Sequence, residues 1–281
     1  MKISIAKRFK PFSHTPGVKL LLPGTDQLFQ VFPAKIVADG KEIPLDIKGP
    51  VKNFTVEQDL ERGQIRIFGQ ALSGYYEKIF KAPAYEKPKE RLSLGVHKAL
   101  DWDLVKRRHS MAEILPIWHF LGQVTPEKPS HREGTAALLD RSLEHLFLAG
   151  FEGILSPRLI DTDEQGFDLK QPEDSDPLVL LTEGARIIRN LFLQEREDVF
   201  HILPSLPKEF HCGRLTTPSI DMEWSKHKLR KLIVRTSKQL LLPKEIKRFR
   251  LKRNHKDKGE WILRDEQLPL GARLTLDRFE R

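Results

Sequence analysis

Hydrophobic and polar residues follow a helical period in one stretch of the chain, residues 177–194. The apolar residues that recur at helical spacing are Leu181, Ala185, Ile188, Leu191 and Phe192. Asp176 is suited to cap this helix, and Pro177 is suited to its first position. The pattern therefore predicts an amphipathic helix that ends in the charged run 195–198.

The period changes from helical to alternating after residue 198. Residues 199–203 are β-prone and lead into Pro204, which cannot donate to a sheet ladder. Residues 220–224 alternate between apolar and polar, and so do residues 232–234 after a polar turn. We expect residues 199–281 to form an antiparallel, β-sandwich-like domain that packs on the predicted helix.

Short β-prone segments separated by turn signals fill residues 1–82, which we interpret as an N-terminal β domain. The predicted strands are 3–5, 19–22, 28–32, 35–37, 43–47 and 64–68. Asp39-Gly40 and Arg62-Gly63 are two of the turn signals between them. The first domain carries no catalytic motif.

Residues 83–198 combine a linker with a short helical region. The proline-rich and charged residues 83–92 are typical of a linker, and helical patterns begin at about residue 104 and again at about residue 135. Pro116 is expected to kink or restart the first of these helices. Together the three parts predict the α+β class.

A family resemblance is carried by the junction after the predicted helix. LFLQ (191–194) is followed by FHILPSLPKEF (200–210), by Gly213 and by IDMEW (220–224). This order resembles the exit from the helical barrel of α-L-fucosidase-like glycosidases, glycoside hydrolase family 95, and of related (α/α)6 enzymes. It covers about sixty of the 281 residues.

The resemblance implies a carbohydrate-active protein with a shortened barrel. A twelve-helix barrel needs more than about 200 residues, and the helical region here has about 105. In the family, an aspartate before the last barrel helix assists the attacking water, and alignment on Leu193-Gln194 places Val179 there. Because valine cannot act as a base, the resemblance implies either a shifted carboxylate or a degenerate enzyme.

Glycoside cleavage requires two facing carboxyl groups, one protonated and one ionised. We predict Glu133 as the proton donor and Asp161 or Asp163 as the base, where the 97–134 segment meets the acidic loop 152–177. Such a long loop is usually functional or mobile.

Two short motifs are candidates for substrate binding. In Asp101-Trp102-Asp103, an indole between two acids suits stacking on a sugar ring, although Asp101 and Asp103 are equally suited to the start of a helix. His131 and Arg132 precede Thr135, where a helix start would attract an anion, and the alternative there is ordinary capping by Thr135. The sequence leaves both alternatives open.

Composition limits the remaining functions. Cys212 is the one cysteine, which excludes an intramolecular disulfide and favours a cytosolic chain. Scattered histidines and the absence of thiolate spacing predict no metal and no cofactor. No signal sequence and no eighteen-residue apolar run is present in the given sequence, so we expect no membrane span.

Positive charge is concentrated near the C-terminus. Residues 226–258 contain fourteen Lys and Arg against two acids, an excess of +12 in a chain of net charge +9. This surface would attract a polyanion such as nucleic acid, or it is simply the solvated face of a β domain. Three hypotheses remain: a glycoside hydrolase-like protein, a non-catalytic carbohydrate-binding or scaffold protein, and a polyanion-binding protein.

Overall fold

The computed structural model confirms the α+β class. It describes residues 4–9, 18–32, 35–47, 51–95, 99–101, 111–127, 151–152, 156–157, 177–204, 206–254, 256–264, 266, 268, 271 and 273–281. The helices in these ranges are α1 (Met111–Val124) and α2 (Pro177–Phe192). The remaining elements are strands, so both the N-terminal and the C-terminal parts are β-rich.

Contacts group the chain into two compact units. Unit 1 contains Met1–Lys87 and His97–Ala185, and unit 2 contains Pro88–Val96 and Arg186–Arg281. The strands of unit 1 are β1 (Ser4–Arg8), β2 (Val18–Leu21), β3 (Leu28–Val31), β4 (Lys35–Ala38), β5 (Lys41–Pro44), β6 (Lys52–Asp59), β7 (Gln64–Ala71), β8 (Gly74–Lys81), β10 (Ala99–Asp101), β11 (Phe151–Glu152) and β12 (Ser156–Pro157), with β9 (Arg91–Ser93) in unit 2.

Unit 1 contains a five-stranded sheet in the order β10-β1-β6-β7-β8 and a four-stranded sheet in the order β2-β3-β4-β5. β10 runs parallel to β1, and the other neighbours are antiparallel. The two sheets meet where Phe29 packs on Phe80 with ring centroids 4.9 Å apart. β11 and β12 form a separate short ladder.

Two turns of unit 1 follow the sequence signals. Asp39 and Gly40 both have positive φ, which is the backbone of the tight hairpin turn between β4 and β5. Gly63 has a φ of 61°, and a Cβ at that position would overlap the ring of Tyr85. Tyr85 lies in the segment predicted to be a linker, and its hydroxyl donates to the carbonyl of Leu60. That segment therefore packs on unit 1 in part.

The two helices meet in unit 1 through small residues. Trp118 of α1 donates from its indole Nε1 to the carbonyl of Leu181 at 3.1 Å, and its ring covers Gly184. A Cβ on Gly122 would lie 2.5 Å from that of Ala185, so glycine permits the close approach. Pro116 lies inside α1, which continues through it, so the predicted restart of the helix is wrong.

Unit 2 is built on a seven-stranded sheet in the order β20-β19-β21-β17-β16-β15-β9. Its strands are β15 (Cys212–Thr216), β16 (Ile220–Ser225), β17 (Lys228–Val234), β19 (Arg248–Lys252), β20 (Glu260–Leu263) and β21 (Leu274–Glu280), together with β9. Every pairing in this sheet is antiparallel. β9 shows that the end of the predicted linker belongs to this sheet.

A second, three-stranded sheet completes unit 2 in the order β13-β14-β18. Its strands are β13 (Leu193–Arg196), β14 (Val199–Ile202) and β18 (Gln239–Leu241). The core of the unit includes Phe192, which stacks on Trp224 with ring centroids 5.1 Å apart. Trp224 in turn donates to the carbonyl of Phe210 at 3.1 Å.

Neither described helix combines the length and the apolar character that are needed to cross a membrane.

Candidate functional site

The sequence-predicted sugar site falls almost entirely outside the residues that the structure describes. Asp101 is the last residue of β10 and pairs in register with Ala6 of β1. The other predicted residues, all outside the described ranges, are Trp102, Asp103, His131, Arg132, Glu133, Asp161 and Asp163. Their roles in catalysis and sugar binding therefore stay predictions.

One row of charged residues across the seven-stranded sheet alternates in sign from strand to strand. In order across the sheet, the charged residues are Arg248, Arg250 and Lys252 of β19, Asp277 and Glu280 of β21, Lys231 of β17, Glu223 and Asp221 of β16, and Arg214 of β15. Cross-strand neighbours of opposite charge stabilise a sheet. We call this set the charge ladder.

Ion pairs within the charge ladder are short and partly bidentate. Arg250 donates to both carboxylate oxygens of Asp277, at 2.7 and 2.9 Å, and Arg214 donates to those of Asp221, at 2.9 and 2.6 Å. The hydrogen bond from Arg250 lowers the pKa of Asp277, although partial burial opposes this effect. Part of the basic run (Arg248, Arg250 and Lys252) is therefore paired with carboxylates of the neighbouring strand β21.

A cleft of about 490 Å³ lies beside the β16–β17 hairpin of unit 2, and a recess of about 70 Å³ adjoins it. The residues that line both are Leu203, Leu206, His227, Pro243 and Glu245. Lys244, Arg264 and His201 line the cleft, and Lys228 and Arg230 line the recess. Apolar walls thus carry a rim of basic side chains.

Six basic residues form a set that we call the cleft cations: Lys228, Arg230, Lys244 and Arg264, which line the cleft or the recess, and Lys226 and Lys247, which adjoin the lining residues His227 and Ile246 in the sequence. Within the described ranges, none of the six makes an ion pair with a carboxylate. Arg230 donates to the hydroxyl of Ser225, and Arg264 donates to the carbonyl of Lys244. Glu245, the one carboxylate in the described lining, pairs with Arg281 at 3.4 Å.

Irregular backbone places these side chains at the cleft. Lys226 and His227 both have positive φ, 52° and 54°, as a two-residue turn between antiparallel strands requires. Arg230 is the extra residue of a β-bulge, since Leu229 and Lys231 face the consecutive residues Trp224 and Glu223. Bulges redirect side chains and often lie next to functional sites.

A second irregularity lies on the other side of the recess. The register of β19 with β21 shifts between Arg248 and Arg250, and Arg278 of β21 has a φ of 53°. Phe279 and Arg281, which follow it, line the recess. Leu203 has a φ of 49° although it is a bulky residue, and its amide donates to the carbonyl of Phe192 at 2.8 Å. Non-glycine residues in such conformations cluster at functional sites.

The chemistry that this cleft supports is binding of negative charge. Its described lining contains one carboxylate and so lacks the facing pair that glycoside cleavage needs. Among the described residues, no three His, Cys, Asp or Glu side chains are grouped closely enough to hold a metal ion. The basic run in the sequence indicated this region, but the sequence could not separate the cleft cations from the paired cations of the ladder.

Comparison with protein-family models, with curated proteins and with solved structures finds no match for this chain. The resemblance to glycoside hydrolase family 95 stays a prediction.

Proposed function

We propose that the protein binds a polyanion, with the phosphate backbone of nucleic acid as its ligand, through the cleft cations of unit 2. The observation that carries this proposal is the grouping of basic residues without a carboxylate partner at one cleft. The arginines of the charge ladder and Lys252 have carboxylate partners, whereas the cleft cations have none among the described residues, and four of the six line the cleft or its recess. Phosphates would provide the missing counter-charge.

The competing explanation is that exposed lysines merely keep the surface hydrated. Two features favour binding. The cleft cations come from the β16–β17 hairpin, from the segment between β18 and β19 and from the residue after β20, yet four of them line the same cleft or its recess. Turn residues with positive φ and a bulge hold them there. The glycosidase hypothesis has no comparable support, because its catalytic residues lie outside the described ranges.

The test compares two variants with the same change in charge. The cleft variant carries Lys228→Gln, Arg230→Gln, Lys244→Gln and Arg264→Gln, which all line the cleft or its recess. The control variant carries Lys208→Gln, Arg235→Gln, Lys256→Gln and Lys258→Gln, which are exposed residues of unit 2 without a described ion pair outside the cleft lining. Affinity for a labelled oligonucleotide is measured by fluorescence anisotropy between about 50 and 200 mM salt.

We expect wild-type affinity to fall steeply with salt, since each phosphate contact releases counterions. Loss of four contacts should reduce the slope of log K against log salt by about 3 to 4 in the cleft variant. The control variant should keep most of the wild-type slope. The proposal fails if the wild type shows no binding at the lowest salt, or if both variants lose the same amount.

A further inference from the structure

An exposed tryptophan lies on the edge strand of the seven-stranded sheet. Trp261 is in β20, has 45% of its surface exposed, and is followed by Leu263 with 58% exposed. The other tryptophans with a described side chain, Trp118 and Trp224, are buried. A large aromatic side chain at an exposed position offers a ring face to a ligand.

Basic side chains hold this indole in place. The guanidinium carbon of Arg248 lies 4.9 Å from the Trp261 ring centre, within cation–π range. Arg248 is itself fixed by a 2.7 Å hydrogen bond from Nε to Glu280. Trp261 also pairs across the strands with Arg250, which is bound to Asp277. The guanidinium lies over the indole ring, and the exposed 45% of Trp261 is available to a second planar group.

The indole is close to the cleft along the chain. Arg264, one of the cleft cations, follows Trp261 by three residues, which corresponds to about 10 Å of extended strand. The amide of Arg264 donates to the carbonyl of Lys247 at 2.9 Å, so β20 is tied to the loop that carries two further cleft cations.

We infer that Trp261 is a base-stacking platform and that the nucleic acid bound at the cleft is single-stranded. The inference rests on the proposed function and adds the class of ligand to it. A base can stack on a side chain only when it is unpaired and accessible, whereas a duplex presents its phosphates and groove edges. An aromatic platform beside a basic groove is the arrangement with which proteins bind single strands without reading their sequence.

The experiment separates base stacking on Trp261 from phosphate binding by the cleft cations, because it uses ligands with and without bases. The ligands are a single-stranded oligonucleotide, a duplex of the same length, inorganic polyphosphate and a neutral oligosaccharide. Binding to each is measured for the wild type and for Trp261→Ala, Trp261→Phe and Leu263→Ala. The last variant truncates an exposed apolar neighbour and serves as the control for surface change.

Trp261→Ala should weaken binding of the single strand about 5- to 150-fold, the loss expected for one stacked base, and should leave polyphosphate binding unchanged. Trp261→Phe should retain most of the affinity, and Leu263→Ala should match the wild type. The duplex should respond little to any of the three variants.

Three outcomes would overturn the inference. Trp261→Ala could leave binding of the single strand unchanged, or it could weaken polyphosphate binding equally, which would show a structural effect. Alternatively, a neutral oligosaccharide could bind and be lost in Trp261→Ala, which would identify the indole as a sugar platform. Polyphosphate binding by the wild type tests the proposed function separately. Its absence at low salt would contradict that function, whereas a change confined to Trp261→Ala would contradict only the inference.

Discussion

Asp277 shows at the scale of one residue why a basic sequence need not make a basic surface. Its carboxylate accepts two hydrogen bonds from Arg250 and lies 3.4 Å from Nζ of Lys252. Two positive charges that are conspicuous in the sequence thereby share one carboxylate, which follows Arg250 by 27 positions. The cleft cations have the same side-chain types as Arg250 and Lys252. The difference is that, within the described ranges, the cleft cations have no carboxylate partner.

This carboxylate should make stability depend on pH. Because Arg250 lowers the pKa of Asp277 in the folded state, its contribution is fully present above the unfolded pKa and is lost as pH falls through the folded pKa. We expect Asp277→Asn to reduce the free energy of unfolding by about 1 kcal/mol at neutral pH, a value that allows for solvent screening. The difference from wild type should shrink from about pH 5 downward.

Urea denaturation at a series of pH values would measure this difference. Asp26→Asn is the matched control, since Asp26 is exposed and makes no described ion pair. A difference between wild type and Asp277→Asn that stays constant down to about pH 2 would contradict the assignment, because both proteins would then titrate alike.

At the scale of elements, α2 was predictable because its signal is local. The apolar period gave its start and most of its buried face, and Leu181, Ala185, Ile188 and Phe192 are buried. Its end was misplaced by two residues, since Leu193–Arg196 pairs as β13 with β14 in the structure. The charged run 195–198 was expected to end the helix. In the structure, residues 195 and 196 are the end of β13, and residues 197 and 198 form the turn that follows.

β6 was missed for a different reason. Residues 53–57 alternate between polar and apolar, but Gln58 and Asp59 break the pattern, and the polar residues Thr55, Glu57, Gln58 and Asp59 are buried. The strand lies between β1 and β7, and pairing on both sides together with buried hydrogen bonds, such as that from Gln58 to the carbonyl of Leu21, accounts for it. Contacts between distant residues decide such a strand.

The same limit applies to the candidate site. Residues 226–258 were recognisable as basic, but the selection of six cleft cations depends on a hairpin turn, a β-bulge and cross-strand carboxylates. Trp261 gave no signal in the sequence, because a tryptophan in a strand is more often buried. The division into domains at residues 82 and 198 stays a prediction.

Ile188 provides the test of the predicted helix face. Its side chain is fully buried, with 0% exposed, in the second half of α2. Ile188→Asp would bury an unpaired carboxylate and should cost more than about 3 kcal/mol, enough to unfold much of the protein. Ile188→Val removes one methylene and should cost about 0.5 to 1.5 kcal/mol.

Thermal unfolding followed by circular dichroism would compare the two variants with the wild type. A melting temperature of Ile188→Asp equal to that of Ile188→Val would show that the side chain is not enclosed, and the predicted apolar face would then be wrong.

At the scale of the whole molecule, the positions of the charged residues matter more for polyanion binding than the net charge does. The net charge of +9 is smaller than the excess of +12 within residues 226–258, so the rest of the chain is slightly acidic. In the folded protein, one part of that excess (Arg248, Arg250 and Lys252) is paired with carboxylates of β21, and another part (Lys228, Arg230 and Lys244) lines the cleft or its recess. A polyanion should therefore recognise the folded state better than the unfolded chain, in which the same charges are dispersed.

This preference predicts thermal stabilisation by inorganic polyphosphate. A ligand that binds only the folded state at about 100 times its Kd adds about 2.7 kcal/mol, and the value here should be smaller because a basic unfolded chain also attracts polyanions. For a chain of this size each kcal/mol raises the Tm by about 2 to 4 °C. We expect a rise of several degrees for the wild type and the control variant at about 50 mM salt, but little for the cleft variant. The rise should largely disappear at about 200 mM salt, because counterion release weakens the complex. An equal rise in all three proteins, or one that resists salt, would mean that the cleft cations are not what the polyanion recognises.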